Sequence, residues 1–313
     1  MYVNHTVRLH GLRERMPGLP GPLLRDLLDA VDRSARGAVR LRLEGRSGTR
    51  GGQIPGWVHA AARFDVAGFT ENPAGVVLRA PRLRDAIPDR LAQYHLFEEF
   101  DSNASGLGVM EQSLDEALRG NEDSDAFDEG LLCSFEEFRR VFRHGVESVE
   151  INNGRPDAQV LTVTAAGIEV VRRLQRETPR PQRIRVSGVV DAIRHSDQAF
   201  TLVLESGTAI RGVLAEGGPE ALVPFFGRIA VVSGWAQFRP SGSLLRVDAE
   251  EVHAGTEADL SLWSALPRPL RTGFAPQELR RPQGPRSGLN AIIGQWPGDE
   301  SEEELLAALA DIS

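Results

Sequence analysis

The chain contains no lysine; all 36 of its basic residues are arginine. That absence removes every mechanism built on an ammonium group, from a Walker-type phosphate loop to a Schiff base or a kinase strand lysine. A single cysteine, Cys133, excludes intramolecular disulfides and cysteine-rich zinc sites. Set in the apolar run Leu131-Leu132-Cys133, its thiol is expected to be a small buried hydrophobe and not a nucleophile. No apolar run approaches the roughly 18 residues that a membrane helix needs. Polar Asn4, His5 and Thr6 stand where a signal peptide would carry its apolar core, so a cytoplasmic protein is expected. Positive charge is in deficit too: the formal net charge is −8, which rules out a generally basic nucleic-acid coat.

Catalytic signatures are missing as well. The sequence has no GxSxG, Walker A or Rossmann fingerprint. Its seven histidines are scattered, with no HxxxH or HExxH pair to hold a metal. The acidic run Asp123-Ser124-Asp125-Ala126-Phe127-Asp128 puts Phe127 where a third calcium ligand should stand, so it reads as a solvated loop. No enzyme, cofactor or metal is expected.

What is present is about two domains' worth of chain in 313 residues. Residues 1–178 read as a mixed α+β domain. Val3 to Leu9 is expected as a strand; Pro22 opens a helix over Leu23 to Val31. Ala38 to Glu44 alternates with period two and reads as a half-buried strand. Two more strands follow near Phe64–Phe69 and Val76–Arg79, then helices near Gln112–Arg119 and Ser134–Phe142. Strands at Ser148–Ile151 and Gln159–Val163 precede a helix over Thr164–Glu177.

From residue 179 to 255 the pattern changes to five short strands, Ile184–Ile193, Phe200–Leu204, Ala209–Leu214, Ile229–Phe238 and Ser243–Val252. A short helical stretch, Pro219–Phe226, lies between the third and fourth. This order, with a bulge expected at Gly188 in the long first strand, is that of an OB-like β-barrel. Such barrels bind single strands on strands two and three and the loops joining strands one–two and four–five. Over residues 183–253 seven arginines stand against eight carboxylates, and the rings are few: Phe200, Trp235 and Phe238, all at positions that equally fill a barrel. Arg194, His195, Arg211 and Arg239 are the candidates for nucleic-acid contact.

Residues 256–286 are Pro- and Arg-rich and read as a linker. Residues 287–313 then form a tail with two short amphipathic helices. Leu289, Ile292, Ile293 and Trp296 make one apolar stripe at helical spacing. Ser301-Glu302-Glu303-Glu304 is a capping-box pattern ahead of Leu305, Leu306 and Leu309. A stripe on a helix too short to be stable alone is the helix-in-groove mode of binding a partner.

The run Gly294-Gln295-Trp296-Pro297-Gly298-Asp299-Glu300-Ser301-Glu302-Glu303-Glu304-Leu305-Leu306 resembles the toxin-binding tail of antitoxins that pair with PIN-domain ribonuclease toxins. The likeness covers about the last 25 residues; such antitoxins are usually small, and this chain carries over 250 residues ahead of the tail. The resemblance implies a PIN-type nuclease as partner, with the apolar stripe as anchor. An arginine, Arg280, Arg281 or Arg286, would pair with the acidic metal site of the nuclease. The expected function is thus an antitoxin-like inhibitor, and the alternative is a single-stranded nucleic-acid-binding OB protein with a partner-recruiting tail.

Overall fold

A computed structural model describes residues 1–12, 18–48, 54–71, 74–91, 101–153, 160–194, 199–215 and 218–269. These residues combine helices and strands in one compact unit with two hydrophobic cores, one under a sheet and one inside a closed five-stranded barrel.

The first half is a five-stranded antiparallel sheet built from β1 (Tyr2–His10), β2 (Asp65–Glu71), β3 (Ala74–Pro81), β4 (Ser148–Asn152) and β5 (Leu161–Thr164), in the order β2-β3-β1-β4-β5. Period-two alternation buries His5, Val7 and Leu9 of β1, Val76, Leu78 and Ala80 of β3, and Val149 and Ile151 of β4 on one face. Asn4, Arg8 and Arg79 point to water on the other, the usual signature of a one-sided antiparallel sheet. The helices are α1 (Gly21–Glu44), α2 (Gly56–Ala62), α3 (Leu83–Ala86), α4 (Pro88–Leu91), α5 (Gly106–Leu118), α6 (Glu129–Glu136), α7 (Arg139–Phe142) and α8 (Ala165–Glu177). Ser105, Asp128 and Thr164 cap α5, α6 and α8 with their side-chain oxygens.

Residues 38–44 are not a strand. They complete α1, which runs unbroken to Glu44 and stops at Gly45, whose φ of 72° is the left-handed C-cap conformation that favours glycine. Ala38, Val39, Arg40, Leu41, Leu43 and Glu44 are all buried there. A helix covered nearly all round carries no polar stripe, and the alternation with Arg40 and Arg42 imitated a strand.

The barrel comprises β6 (Gln182–Arg194), β7 (Ala199–Val203), β8 (Ala209–Leu214), β9 (Ile229–Phe238) and β10 (Leu244–Ala254), closed in the order β10-β8-β7-β6-β9. All pairings are antiparallel except β8 with β10, which is parallel. The long first strand serves two neighbours: residues 182–189 pair with β9 and residues 189–194 with β7. Gly188 sits at this corner, where a Cβ would come within 2.6 Å of the Val203 carbonyl oxygen. The bulge itself falls between Val190 and Ala192, so Gly188 is there for close approach and not for the bulge. A 3-10 helix over Pro219–Phe225 plugs one end with buried Leu222. After Gly255 the chain forms a further helix, α9 (Glu257–Trp263), started by a capping box between Thr256 and Asp259.

Candidate functional site

The two halves meet along β8, β10 and the loop joining β9 to β10. At the centre is Arg246, 5% exposed, on β10. Its Nε donates to Asp248 Oδ1 at 2.9 Å and its Nη2 to Asp128 Oδ2 at 3.1 Å. Asp128, 8% exposed, is also the cap of α6, accepting from Leu131 N at 3.0 Å, and it takes Ser47 N at 3.0 Å as well as the Ser47 hydroxyl. Asp248 Oδ2 accepts from Gln237 Nε2 at 3.0 Å. Burial works to raise the Asp128 pKa, but the Arg246 charge and the hydrogen bonds from Ser47 and Leu131 outweigh it and hold the carboxyl below its usual value. Burial likewise disfavours the Arg246 cation, yet Asp128 and Asp248 leave it more firmly protonated than a free arginine.

The acidic run read as a solvated loop is the N-terminal half's docking edge. Arg239 Nε donates to Asp125 Oδ1 at 2.9 Å, and its Nη2 reaches the same oxygen. Its Nη1 turns back to Ser243 Oγ at 3.2 Å and to the Leu244 carbonyl. Asp123 Oδ1 accepts from Ser241 Oγ at 2.5 Å and Ser243 Oγ at 3.1 Å, and these two hydroxyls lower its pKa. Phe127 is buried in the N-terminal core and anchors the run from behind. Between the halves lies a cavity of about 380 Å³, lined by Leu41, Gly45 and Asp125 on one side and by Arg211, Arg239 and Arg246 on the other. Gly45 lets the Arg211 guanidinium approach; a Cβ there would sit 3.1 Å from its Nη2.

Comparison with protein-family models, with curated proteins and with solved structures finds no match.

Of the four basic residues proposed for nucleic-acid contact, the structure brings Arg211 and Arg239 to this one cavity. Arg194 ends β6 and is not among the cavity's described lining residues, and His195 lies outside the described residues. Phe200 and Phe238 are buried in the barrel; Trp235 is half-buried on its outer side, with its indole N–H on Glu250 Oε1 at 2.8 Å. Arg280, Arg281, Arg286, Leu289, Ile292, Ile293, Trp296, Leu305, Leu306 and Leu309 all lie outside the described residues. Cys133 is exposed, contrary to expectation, because it falls on the outer side of α6 while Leu131, Leu132 and Phe135 face the core. It accepts from Gln175 Nε2 at 2.9 Å. Partial desolvation, then Glu129 and Glu136, push its thiol pKa up, which makes it a weak nucleophile.

Sequence reasoning missed one constellation. His5 Nδ1 is 2.6 Å from Glu111 Oε1, and His5 Nε2 is 2.7 Å from Ser105 Oγ. Asn153 Nδ2 donates to Glu111 Oε2 at 3.3 Å. Nucleophile, base and orienting carboxylate stand in the order of a serine-hydrolase triad. The hydroxyl, however, belongs to a residue only 1% exposed that is committed to capping α5, accepting from Gly108 N at 3.1 Å. None of the three is among the described residues lining the cavity between the halves. The network pins α5 to the middle of the sheet. Its only sequence trace is a histidine on the apolar side of β1.

Proposed function

We propose that this protein is a non-enzymatic, antitoxin-like binding protein, whose body presents a C-terminal tail that engages and inhibits a PIN-type toxin nuclease. The observation that carries this reading is the engagement of the barrel's ligand face. The strand order, the parallel pairing of the third and fifth strands, and the short helix before the fourth make the barrel OB-like. In such a barrel the face of strands two and three and the loops joining strands one–two and four–five take the ligand. Here the four–five loop is held by Asp123 and Asp125, and Arg246 behind it is neutralised by Asp128 and Asp248. That part of the barrel's ligand face is taken up by its own N-terminal half, which favours the barrel as scaffold. The buried position of Ser105 weighs against hydrolysis in the same way.

Recognition then falls to the tail, where Trp296 is the largest side chain of the apolar stripe. Interface anchors of this kind cost about 2 kcal/mol or more on truncation, a factor of about 30 in affinity. The test is a search for a PIN-domain reading frame beside this one, then calorimetric titration of its product with the full chain and with Trp296→Ala, together with melting curves. The expected result is tight binding by the wild type, at least ~30-fold weaker binding by the variant, and matching melting temperatures. No neighbouring PIN reading frame, no binding, or an unchanged affinity in the variant defeats the proposal. Submicromolar, salt-dependent binding of random single strands would favour the OB nucleic-acid reading instead.

A further inference from the structure

A second cavity, of about 430 Å³, lies between α1 and α6 and has no part in the proposed function. It is lined by Arg33, Arg36 and Arg40 of α1, by Ser47 and Gly48 after the helix, by Ile54 and Val58, and by Gly130 and Ser134 of α6. Positions 33, 36 and 40 share one helix face and span roughly 10 Å at 1.5 Å per residue. Three arginines therefore line the cavity, and no carboxylate is among its described lining residues. The carboxylates that pair with these arginines, Asp32, Glu44 and Glu137, stand outside the lining.

Arg40 is the informative one. Its side chain is 8% exposed, its Nε donates to Glu44 Oε2 at 2.9 Å, and its Nη1 is buried with no hydrogen-bond partner. An unpaired cationic N–H in a protein interior is costly and rare, and an oxyanion is the partner it lacks. Two glycines let the walls pack closely: a Cβ at Gly37 would stand 3.0 Å from Leu131 Cδ1, and at Gly130 one would stand 2.6 Å from Ser47 Oγ. The Ser134 hydroxyl, now on the Gly130 carbonyl at 3.1 Å, is a donor free to turn toward a ligand. Ile54 and Val58 supply an apolar wall facing the arginines.

We propose that this cavity binds a phosphorylated small molecule of nucleotide size, its phosphoryl oxygens held by Arg33, Arg36 and Arg40 and its uncharged part laid against Ile54 and Val58. The volume is that of a small-molecule site. Planar guanidinium forks match phosphoryl oxygens bidentately, and the 10 Å row suits a diphosphate better than a single phosphate.

The test uses the full chain at low ionic strength, with inorganic phosphate, pyrophosphate, ADP, citrate and a short RNA as probes, read by calorimetry and thermal shift. ADP and pyrophosphate should bind saturably and raise the melting temperature, phosphate should bind more weakly, and citrate more weakly than pyrophosphate. Arg36→Gln and Arg33→Gln, at partly exposed positions, should keep the fold and each weaken ADP by about tenfold, one charge-assisted contact's worth. Arg40→Gln should weaken it at least as much; if that variant melts early, Arg36→Gln decides. Failure of every phosphorylated probe to bind, ADP affinity unchanged in Arg36→Gln, citrate as tight as pyrophosphate, or RNA binding without ADP binding would each overturn the proposal.

Discussion

Replacing Arg246 with methionine should separate the two halves energetically. The substitution keeps roughly the length of the side chain but removes the one cation between Asp128 and Asp248. Breaking a buried ion pair from one side costs about 3–5 kcal/mol, because the partner stays buried and uncompensated. Both carboxylates keep other donors, Gln237 for Asp248 and Ser47 and Leu131 for Asp128, which places the loss near the lower end, about 3 kcal/mol. Against a total of about 5–15 kcal/mol this is a large fraction. Asp128→Asn preserves a good capping residue and leaves Arg246 on Asp248, so it should cost only about 1–2 kcal/mol. In the double variant the orphaned charge at 128 is gone, and the combined loss should fall short of the sum by at least ~1 kcal/mol. Urea unfolding followed by tryptophan fluorescence reads this well, since Trp57 lies in the first half and Trp235 in the barrel. Losses that add within ~0.5 kcal/mol, or a loss below ~1 kcal/mol for Arg246→Met, would refute the reasoning. A pH series supplies the sign. The Asp128 pKa is lowered in the folded chain, so its contribution is complete above the unfolded value of about 3.9 and is lost as pH falls through the lower folded value. The stability gap between wild type and Asp128→Asn should therefore be constant at neutral pH and shrink below about pH 4.

Three further outcomes follow from other parts of the fold. Ser105→Ala removes the cap of α5 and the hydroxyl on His5, and should lower stability by about 1–2 kcal/mol in denaturant melts; a neutral effect would mean the network is not a structural pin. Gly212→Ala would drive a Cβ to within 2.2 Å of the Phe200 ring and should destabilise by about 1–3 kcal/mol, with Phe200→Leu restoring part of the loss. Cys133 should react with a disulfide reagent at neutral pH more slowly than free cysteine despite its exposure, and faster labelling would contradict the raised thiol pKa.

The barrel was legible nearly residue by residue, because turn dipeptides punctuate strands of period two: Ala209–Leu214 and Ile229–Phe238 stand where the alternation put them. The extent of α8 was equally plain: the helix expected over 164–177 runs Ala165–Glu177, with Thr164 as its cap. What misled was burial on two sides, which turned the second half of α1 into an apparent strand. The interface was invisible for a different reason. Asp128 and Arg246 are 118 residues apart, and a carboxylate in a polar run looks the same whether its partner is water or a distant arginine. The same holds for Arg40, whose unpaired nitrogen depends on how α1 meets α6 and on no local pattern.

The position of β1 has a consequence for how the chain is made. Residues 2–10 occupy the middle of the sheet, flanked by β3 on one side and β4 on the other. The second neighbour of β1, Ser148–Asn152, emerges from the ribosome roughly 140 residues after it. At about 5–20 residues per second, that leaves one strand edge unpaired for many seconds. An edge carrying Val7 and Leu9 invites mispairing during that interval. Vectorial synthesis, more than the final stability, is then the stage at which this half is most exposed to aggregation, and slower translation across residues 10–148 would lengthen the hazard.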